Sequence, residues 1–365
     1  MLDKGTFYKL VTTVAALTLG ACLDPGAGDT ASRDESTAAG EEVVEVQLTH
    51  DELLSIAREH VSAMRAAGEI GDSAGAETTS IALEVPAECV GRPVITGTAG
   101  PDVLVGTSDA ECIFGLEGDD VIFAGGGDDI VFGGPGNDVI DGDTGHDTLH
   151  GNEGADTIYG DVGNDTIDGG NGPDRLLGGG GDDAMSGGNG ADWLDGGTGV
   201  DTMHGDAGND YLDGGLGADS IDGGDDNDTI YGNGGADAIY GGDGDDLIYA
   251  DEGQDFADGQ AGNDTIYGGV GPDTLLGGSG TDYIDGEGGD DIIVGGADAD
   301  TLIGNTGHDT LTGGPGNDNL SGGPGDDQLF GGAGNDTLDQ GGGTGTVDGG
   351  PGTDTCSSPS VNCEP

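Results

Sequence analysis

An all-β solenoid is the fold this sequence predicts, on three observations: an unbroken nine-residue period, an acid fixed at one position of it, and one apolar residue fixed at another. The unit Gly-Gly-x-Gly-x-Asp-x-U-x, with U a large apolar residue, runs from Gly97 to Ser357 as twenty-nine consecutive copies in one register. The sixth position is Asp in twenty-seven copies, with Glu111 and Gly345 departing. The eighth is aliphatic or Met in twenty-seven, with Ala257 and Cys356 departing. A unit with one apolar side chain cannot bury it alone, so successive copies must stack into a continuous core.

Each unit divides into a turn and a strand. Gly holds the first position in twenty-six copies and the fourth in twenty-six, as a turn with positive φ or close backbone approach requires. Where the second position is not Gly it is often Asp or Asn, as at Asp143, Asn152, Asp161 and Asn233, the residues that best tolerate the left-handed region. The last three residues form a short strand whose central side chain points inward. Two units make one coil, with a turn on each side.

Stacking places the sixth-position acids in two columns whose members lie eighteen residues apart. One column holds Asp102, Asp120, Asp138, Asp156, Asp174, Asp192, Asp210, Asp228, Asp246, Asp264, Asp282, Asp300, Asp318 and Asp336. The other holds Asp129, Asp147, Asp165, Asp183, Asp201, Asp219, Asp237, Asp255, Asp273, Asp291, Asp309 and Asp327. At a coil spacing of ~4.8 Å the carboxylates repel strongly unless cations sit between them. Ca²⁺ suits such a column, taking six to eight oxygens at about 2.3–2.6 Å in a tolerant geometry, whereas Mg²⁺ demands a tighter octahedron and holds its waters.

Stretches such as Gly133-Gly134-Pro135-Gly136-Asn137-Asp138-Val139-Ile140-Asp141 and Gly313-Gly314-Pro315-Gly316-Asn317-Asp318-Asn319-Leu320-Ser321 resemble the repeat-in-toxin (hemolysin-type) calcium-binding nonapeptide. The resemblance implies a parallel β-roll in which each Ca²⁺ sits between adjacent turns of one side, held by Asp carboxylates and turn carbonyls. Asp109, Asp226 and Asp298 depart from the family pattern at the fourth position, as do Glu111 and Gly345 at the sixth.

The formal net charge is −66, and beyond residue 96 the only Lys or Arg is Arg175, which excludes nucleic acid as a partner. A Gly-rich chain of unpaired acids is expected to stay disordered without cations. Many bound Ca²⁺ ions, on the order of two dozen, offset that charge, so folding is expected to be coupled to calcium binding.

The N-terminus sets an address. Lys4 and Lys9 precede an apolar run from Leu10 to Leu19, and Leu19-Gly20-Ala21-Cys22 resembles the bacterial lipobox. That resemblance implies a signal peptide over 1–21, lipidation of Cys22 and export. Leu23, where an Asp would favour inner-membrane retention, points to an outer-membrane or cell-surface lipoprotein. Residues 22–48 read as an acidic flexible tether. Residues 49–96 read as a helix and N-terminal cap: Thr49-His50-Asp51-Glu52 fits a capping box, Leu53, Ala57, Val61 and Met64 recur at helical spacing, Gly68 stops the run, and Ile81–Val85 reads as a lead-in strand. The roll then spans 97–357 and a C-terminal cap 358–365.

Besides Cys22 there are four cysteines, an even count in an exported chain. Cys89 and Cys112 flank the first repeat and Cys356 and Cys363 bracket the last turn, which points to disulfides stapling both ends, with the connectivity open.

Catalytic signatures are missing. There is no His-Glu-x-x-His or Gly-Lys-[Ser/Thr] motif, and His50, His60, His146, His150, His204 and His308 are scattered, the last four at positions expected to face solvent. The chain therefore reads as a non-enzyme. Tyr231, Tyr249 and Tyr267 share the ninth position eighteen residues apart and should stack on one outer face, with Tyr240 opposite and Phe114 and Phe132 as a second pair. Such a ladder stiffens the solenoid or offers a polysaccharide contact. The sequence thus predicts a calcium-binding envelope lipoprotein, structural or adhesive, or alternatively an accessory subunit presenting a separately encoded enzyme or toxin.

Overall fold

The computed structural model describes residues 86–357 and the backbone of residues 361–362. The signal segment, Cys22, the tether, the helix expected after Thr49, the lead-in strand Ile81–Val85 and Cys363 lie outside the described residues.

Parallel strands build two main sheets, one of sixteen and one of fifteen strands, between which the chain alternates, and Gly234–Gly235 pairs with Glu252–Gly253 as a small third sheet. The register is eighteen residues from the first strand to the last repeat, as Ile113 pairs with Val131 and Leu176 with Leu194, and shortens to fourteen only where Val347 pairs with Val361. Two nonapeptides therefore make one coil. Every repeat contributes a strand at its seventh to ninth positions, beginning with β2 (Val103–Val105) and β3 (Cys112–Phe114). The solenoid also extends beyond the repeat register: β1 (Val94–Thr96) pairs with β3 ahead of the first repeat, and Val361–Asn362 adds to the same sheet after the last.

Many strands are longer than the three residues expected. Ile130–Pro135 and Thr310–Pro315, for example, continue through the next turn's first three positions, so the pairing runs into the glycine pair. These six-residue strands are concentrated in the sixteen-stranded sheet.

The core is a narrow file of eighth-position side chains, from Leu104 through Ile158, Leu212 and Ile266 to Val347, nearly all fully buried. The first position also faces inward, since Ala124 and Ala250, which replace Gly there, are buried in the same cluster. Seventh- and ninth-position side chains mostly point outward, as the period of two requires. The first coils differ. There Val105, Phe114, Val121, Phe123 and Ile130 are buried as well, and Cys89, Cys112, Phe114 and Ile130 form a separate apolar cluster with Leu116 and Phe132 against it.

Cys89 and Cys112 are joined by a disulfide with Cα atoms 5.7 Å apart, stapling the N-terminal end as the sequence suggests. Cys356 is also disulfide-bonded.

Candidate metal centre

Each sixth-position Asp is placed by the turn before it and the strand after it, which sets its carboxylate inside the turn and almost wholly out of solvent. Asp120, Asp129, Asp138 and their successors to Asp336 are buried, whereas Asp102 is half-buried. The two columns expected from the spacing are present. In each, the backbone N–H of one Asp donates to Oδ1 of the Asp one coil later, as Asp147 does to Asp165 at 2.8 Å and Asp210 to Asp228 at 2.8 Å.

That hydrogen bond engages one carboxylate oxygen and leaves the other. Oδ2 of every sixth-position Asp from Asp120 to Asp336, and of Asp354, has no hydrogen-bond partner. A buried, unpaired carboxylate oxygen is costly, and a file of them cannot all carry charge unaided. Burial is the first cause that raises the acids of the file, and the neighbouring carboxylates of the column add to it: Asp138 is pushed up to about 7, Asp156 to about 8 and Asp228 to about 8, against the lowering effect of the backbone hydrogen bond.

Carbonyl oxygens stand beside these orphans. A Cβ placed on Gly142 would lie 2.7 Å from Asp147 Oδ2 and 3.0 Å from the carbonyl oxygen of Gly160. One on Gly268 would lie 2.9 Å from Asp273 Oδ2 and 2.9 Å from the carbonyl oxygen of Gly286. The first-position glycine thus leaves a cradle between an anionic oxygen and a carbonyl of the next coil. Among the described residues no three His, Cys, Asp or Glu side chains converge on one point. The donor set is therefore carboxylate plus backbone carbonyl, all oxygen, which fits a hard cation of tolerant geometry and not zinc.

The departures differ from one another. Asp226 and Asp298, in place of the fourth-position glycine, adopt φ of 77° and 77°, so the turn backbone accommodates them. Their carboxylates push further on the neighbouring Asp228 and Asp300. Asp102 and Glu111, first in their columns, are satisfied within their own repeats: Thr98 N–H and Oγ1 donate to Asp102 Oδ2 at 2.6 and 2.9 Å, and Thr107 N–H donates to Glu111 Oε2 at 3.0 Å. At Gly345 the column has no carboxylate.

A second column, on the rim of each turn, was missed by sequence reasoning. Fifth-position Asn, Asp and His side chains accept backbone N–H groups from the following coil: Asn137 from Ala155 at 2.8 Å, His146 Nδ1 from Asn164 at 2.8 Å and His308 Nδ1 from Asp326 at 3.0 Å. Its signal was the recurrence of Asn, Asp and His at that position. His146 and His308 are thus exposed but engaged. His150 stacks on Phe132 at 4.9 Å and meets Asp168 at 3.2 Å, so it is more enclosed than the solvent-facing position expected.

The tyrosine ladder is present and longer than the sequence suggested. Tyr231, Tyr249 and Tyr267 stack at 4.9 and 5.0 Å with planes within 9°. Trp193 and Tyr211 extend it at one end, with the Arg175 guanidinium 4.5 Å over the Trp193 ring, and Tyr283 extends it at the other. Phe114 and Phe132 stack at 5.2 Å, while Tyr240 meets Phe256 on the other sheet.

A parallel β-solenoid with two internal files of buried carboxylates, each paired with turn carbonyls, defines a metal-binding roll. The family described as RTX calcium-binding nonapeptide repeat (4 copies) matches this chain in overlapping windows from 105–140 to 321–356. The chain belongs to that family, whose repeats bind calcium in a β-roll. No curated protein matches it.

Proposed function

We propose that the chain is a calcium-binding lipoprotein of the bacterial cell envelope, non-enzymatic, whose β-roll folds on Ca²⁺ and serves as a structural or adhesive surface element. The observation that carries this reading is the file of buried Asp Oδ2 atoms without partners, from Asp120 to Asp336. A cation between coils would supply the charge each file lacks, and the residues that would hold it are the Asp with the orphaned Oδ2 and the first-position glycine carbonyl beside it. Calcium thereby acts as the staple between coils that a thin core of one side chain per repeat does not provide.

The lipobox-like Leu19-Gly20-Ala21-Cys22 supports attachment through a lipidated Cys22, with the roll displayed beyond the acidic tether. The outward ladder at Tyr231, Tyr249 and Tyr267 supports a mechanical role first. Its ring faces cover one another, so the outer surface offers ring edges and hydroxyls, whereas sugar stacking needs an open face.

Far-UV circular dichroism of the chain from Cys22 onward, titrated from chelator into Ca²⁺ with Mg²⁺ as control, tests the reading. A steep, calcium-specific gain of β signal is expected. A full β signal in chelator at neutral pH would sink it. Metabolic labelling with a palmitate analogue in a bacterial host, lost in Cys22→Ala, tests the anchor.

A further inference from the structure

We propose that the first rung of each acid column is closed by threonine in place of calcium, and that Pro86 to Phe132 form a calcium-independent cap from which the calcium-folded coils grow. The proposal rests on the calcium reading above and concerns where the ion columns begin.

Three independent observations converge on this end of the roll. The first is hydrogen bonding. Asp102 and Glu111 head the two columns, and each is held by the second-position threonine of its own repeat through both the backbone N–H and the hydroxyl. Among the sixth-position acids, these two alone contribute no orphaned oxygen, while the run of orphans starts at Asp120 and Asp129. Threonine supplies two donors where a cation would otherwise sit: at Asp102 both fall on Oδ2, and at Glu111 the N–H takes Oε2 and the hydroxyl takes Oε1, so in each case the carboxylate is already engaged.

The second observation is backbone geometry. From Leu116 onward the second position commonly takes a positive φ, at Leu116 (81°), Gly125 (100°) and Gly134 (110°) and then at Asp143 (67°) and Asn152 (82°), but Thr98 and Thr107 do not. A β-branched residue is strained in that region, so threonine at these two positions selects a different turn. That turn aims the N–H of Thr98 and Thr107 at the acid.

The third is packing. The later coils bury chiefly the eighth-position side chain, but this end adds the Cys89, Cys112, Phe114 and Ile130 cluster and the Cys89–Cys112 disulfide. The Arg92 guanidinium also donates to the carbonyl of Asp128. Apolar burial and a covalent link thus do here what calcium does further along.

The cap also presents a template. Asp102 N–H donates to Asp120 Oδ1 at 2.7 Å and Glu111 N–H to Asp129 Oδ1 at 2.6 Å, which fixes the first ion-binding carboxylate of each column with its other oxygen turned to the cradle. Each ion bound there orders the next coil, so growth runs from the N-terminal end toward Asp354.

Two measurements on the full chain test this. Bound calcium per chain, by equilibrium dialysis with radioactive Ca²⁺, is expected to be unchanged in Asp102→Asn and Glu111→Gln and to fall in Asp138→Asn and Asp147→Asn. Loss of an ion in either of the first two variants would overturn the proposal while leaving the calcium reading intact. Hydrogen–deuterium exchange in chelator is expected to show protection at Cys112–Phe114 and Ile130–Phe132 and none at Thr265–Tyr267. Equal, fast exchange at both ends would overturn it, and a wild-type chain that binds no calcium would overturn the calcium reading together with it. Thr98→Val with Thr107→Val should abolish the N-terminal protection in chelator and shift the calcium midpoint upward.

Discussion

The backbone N–H of Asp138 donates to Oδ1 of Asp156 one coil on, at 2.7 Å, while Oδ2 of Asp156 accepts nothing. One carboxylate therefore divides its work: one oxygen clamps the previous coil and the other faces the cradle. The two roles separate by substitution. Asp156→Asn keeps an acceptor for the clamp and removes the charge, so it should lose calcium at that rung with little change in β content at saturating Ca²⁺. Asp156→Ala removes both, and should lower stability by about a further 1 kcal/mol, the usual net worth of one such hydrogen bond. Dialysis counts the ions and thermal melts at fixed Ca²⁺ rank the variants; equal melting of both would show that the clamp contributes nothing.

The raised acids give the metal-free chain an unusual pH dependence. Burial holds Asp138 up to about 7, Asp156 to about 8 and Asp264 to about 7 in the folded roll, against an ordinary value of 3.8. A folded pKa above the unfolded one means that folding favours the protonated acid. Its stabilising contribution is complete below about pH 4 and is lost as pH rises through about 7–8. In chelator, β signal should therefore rise on acidification to about pH 4 and fall near pH 8 to that of the N-terminal coils. Calcium competes with those protons, so its apparent affinity should fall as pH drops below about 7. Circular dichroism against pH, with and without Ca²⁺, checks both; a chelated chain that is more folded at pH 8 than at pH 4 would contradict the burial argument.

The period-nine register carried most of the fold. Once Ile113, Ile122 and Val131 share one position of a nine-residue unit, stacking and the two acid columns follow from geometry. The Asp120 and Asp129 files and the Tyr231–Tyr249–Tyr267 stack were legible for that reason, whereas the pairing of Cys89 with Cys112 comes from the structure. What the pattern hid was how atoms are shared between coils. Composition shows an Asp at position six but not that Oδ1 is already committed to a neighbour's N–H. Nor does a strict eighteen-residue search find Tyr211 beside Tyr231, which sit twenty residues apart at different positions and meet at 5.4 Å because aromatic side chains reach diagonally across adjacent strands. Nor does the pattern show that Thr98 and Thr107, at a second position that also takes Asp and Asn, hold the acid of their own repeat.

Tyr249 sits in mid-ladder, 4.9 Å from Tyr231 and 5.0 Å from Tyr267. Tyr249→Ala removes two ring contacts at once and opens two ring faces, with a cost of about 1–3 kcal/mol at saturating Ca²⁺. The number of bound ions should not change, because the ring lies outside the turn. Calcium-saturated melts compared with Tyr240→Ala, which lies outside this ladder, distinguish a mechanical role from none: no loss on Tyr249→Ala would remove stiffening as the ladder's purpose.

Gln340 and Gly345 are paired departures within one repeat. The first position elsewhere is small because a Cβ there would crowd the Oδ2 of the same repeat's Asp, as at Gly142 against Asp147 at 2.7 Å. Where Gly345 brings no carboxylate, the space opens and Gln340 fills it, 1 % exposed. The amide brings polar atoms to that rung without charge, so the second column is expected to close at its C-terminal end without an ion. Gln340→Gly should then leave an interior void, speed amide exchange across Gln328–Ala333 and Thr346–Asp348, and lower the melting of the C-terminal coil while the number of bound ions stays constant. Gly345→Asp is harder for the fold to absorb, since a Cβ there collides with the carbonyl oxygen of Asp327, and it should destabilise the same coil without adding a calcium ion. An additional ion bound by Gly345→Asp, measured by dialysis, would show that this rung is an intact site that merely lacks its acid.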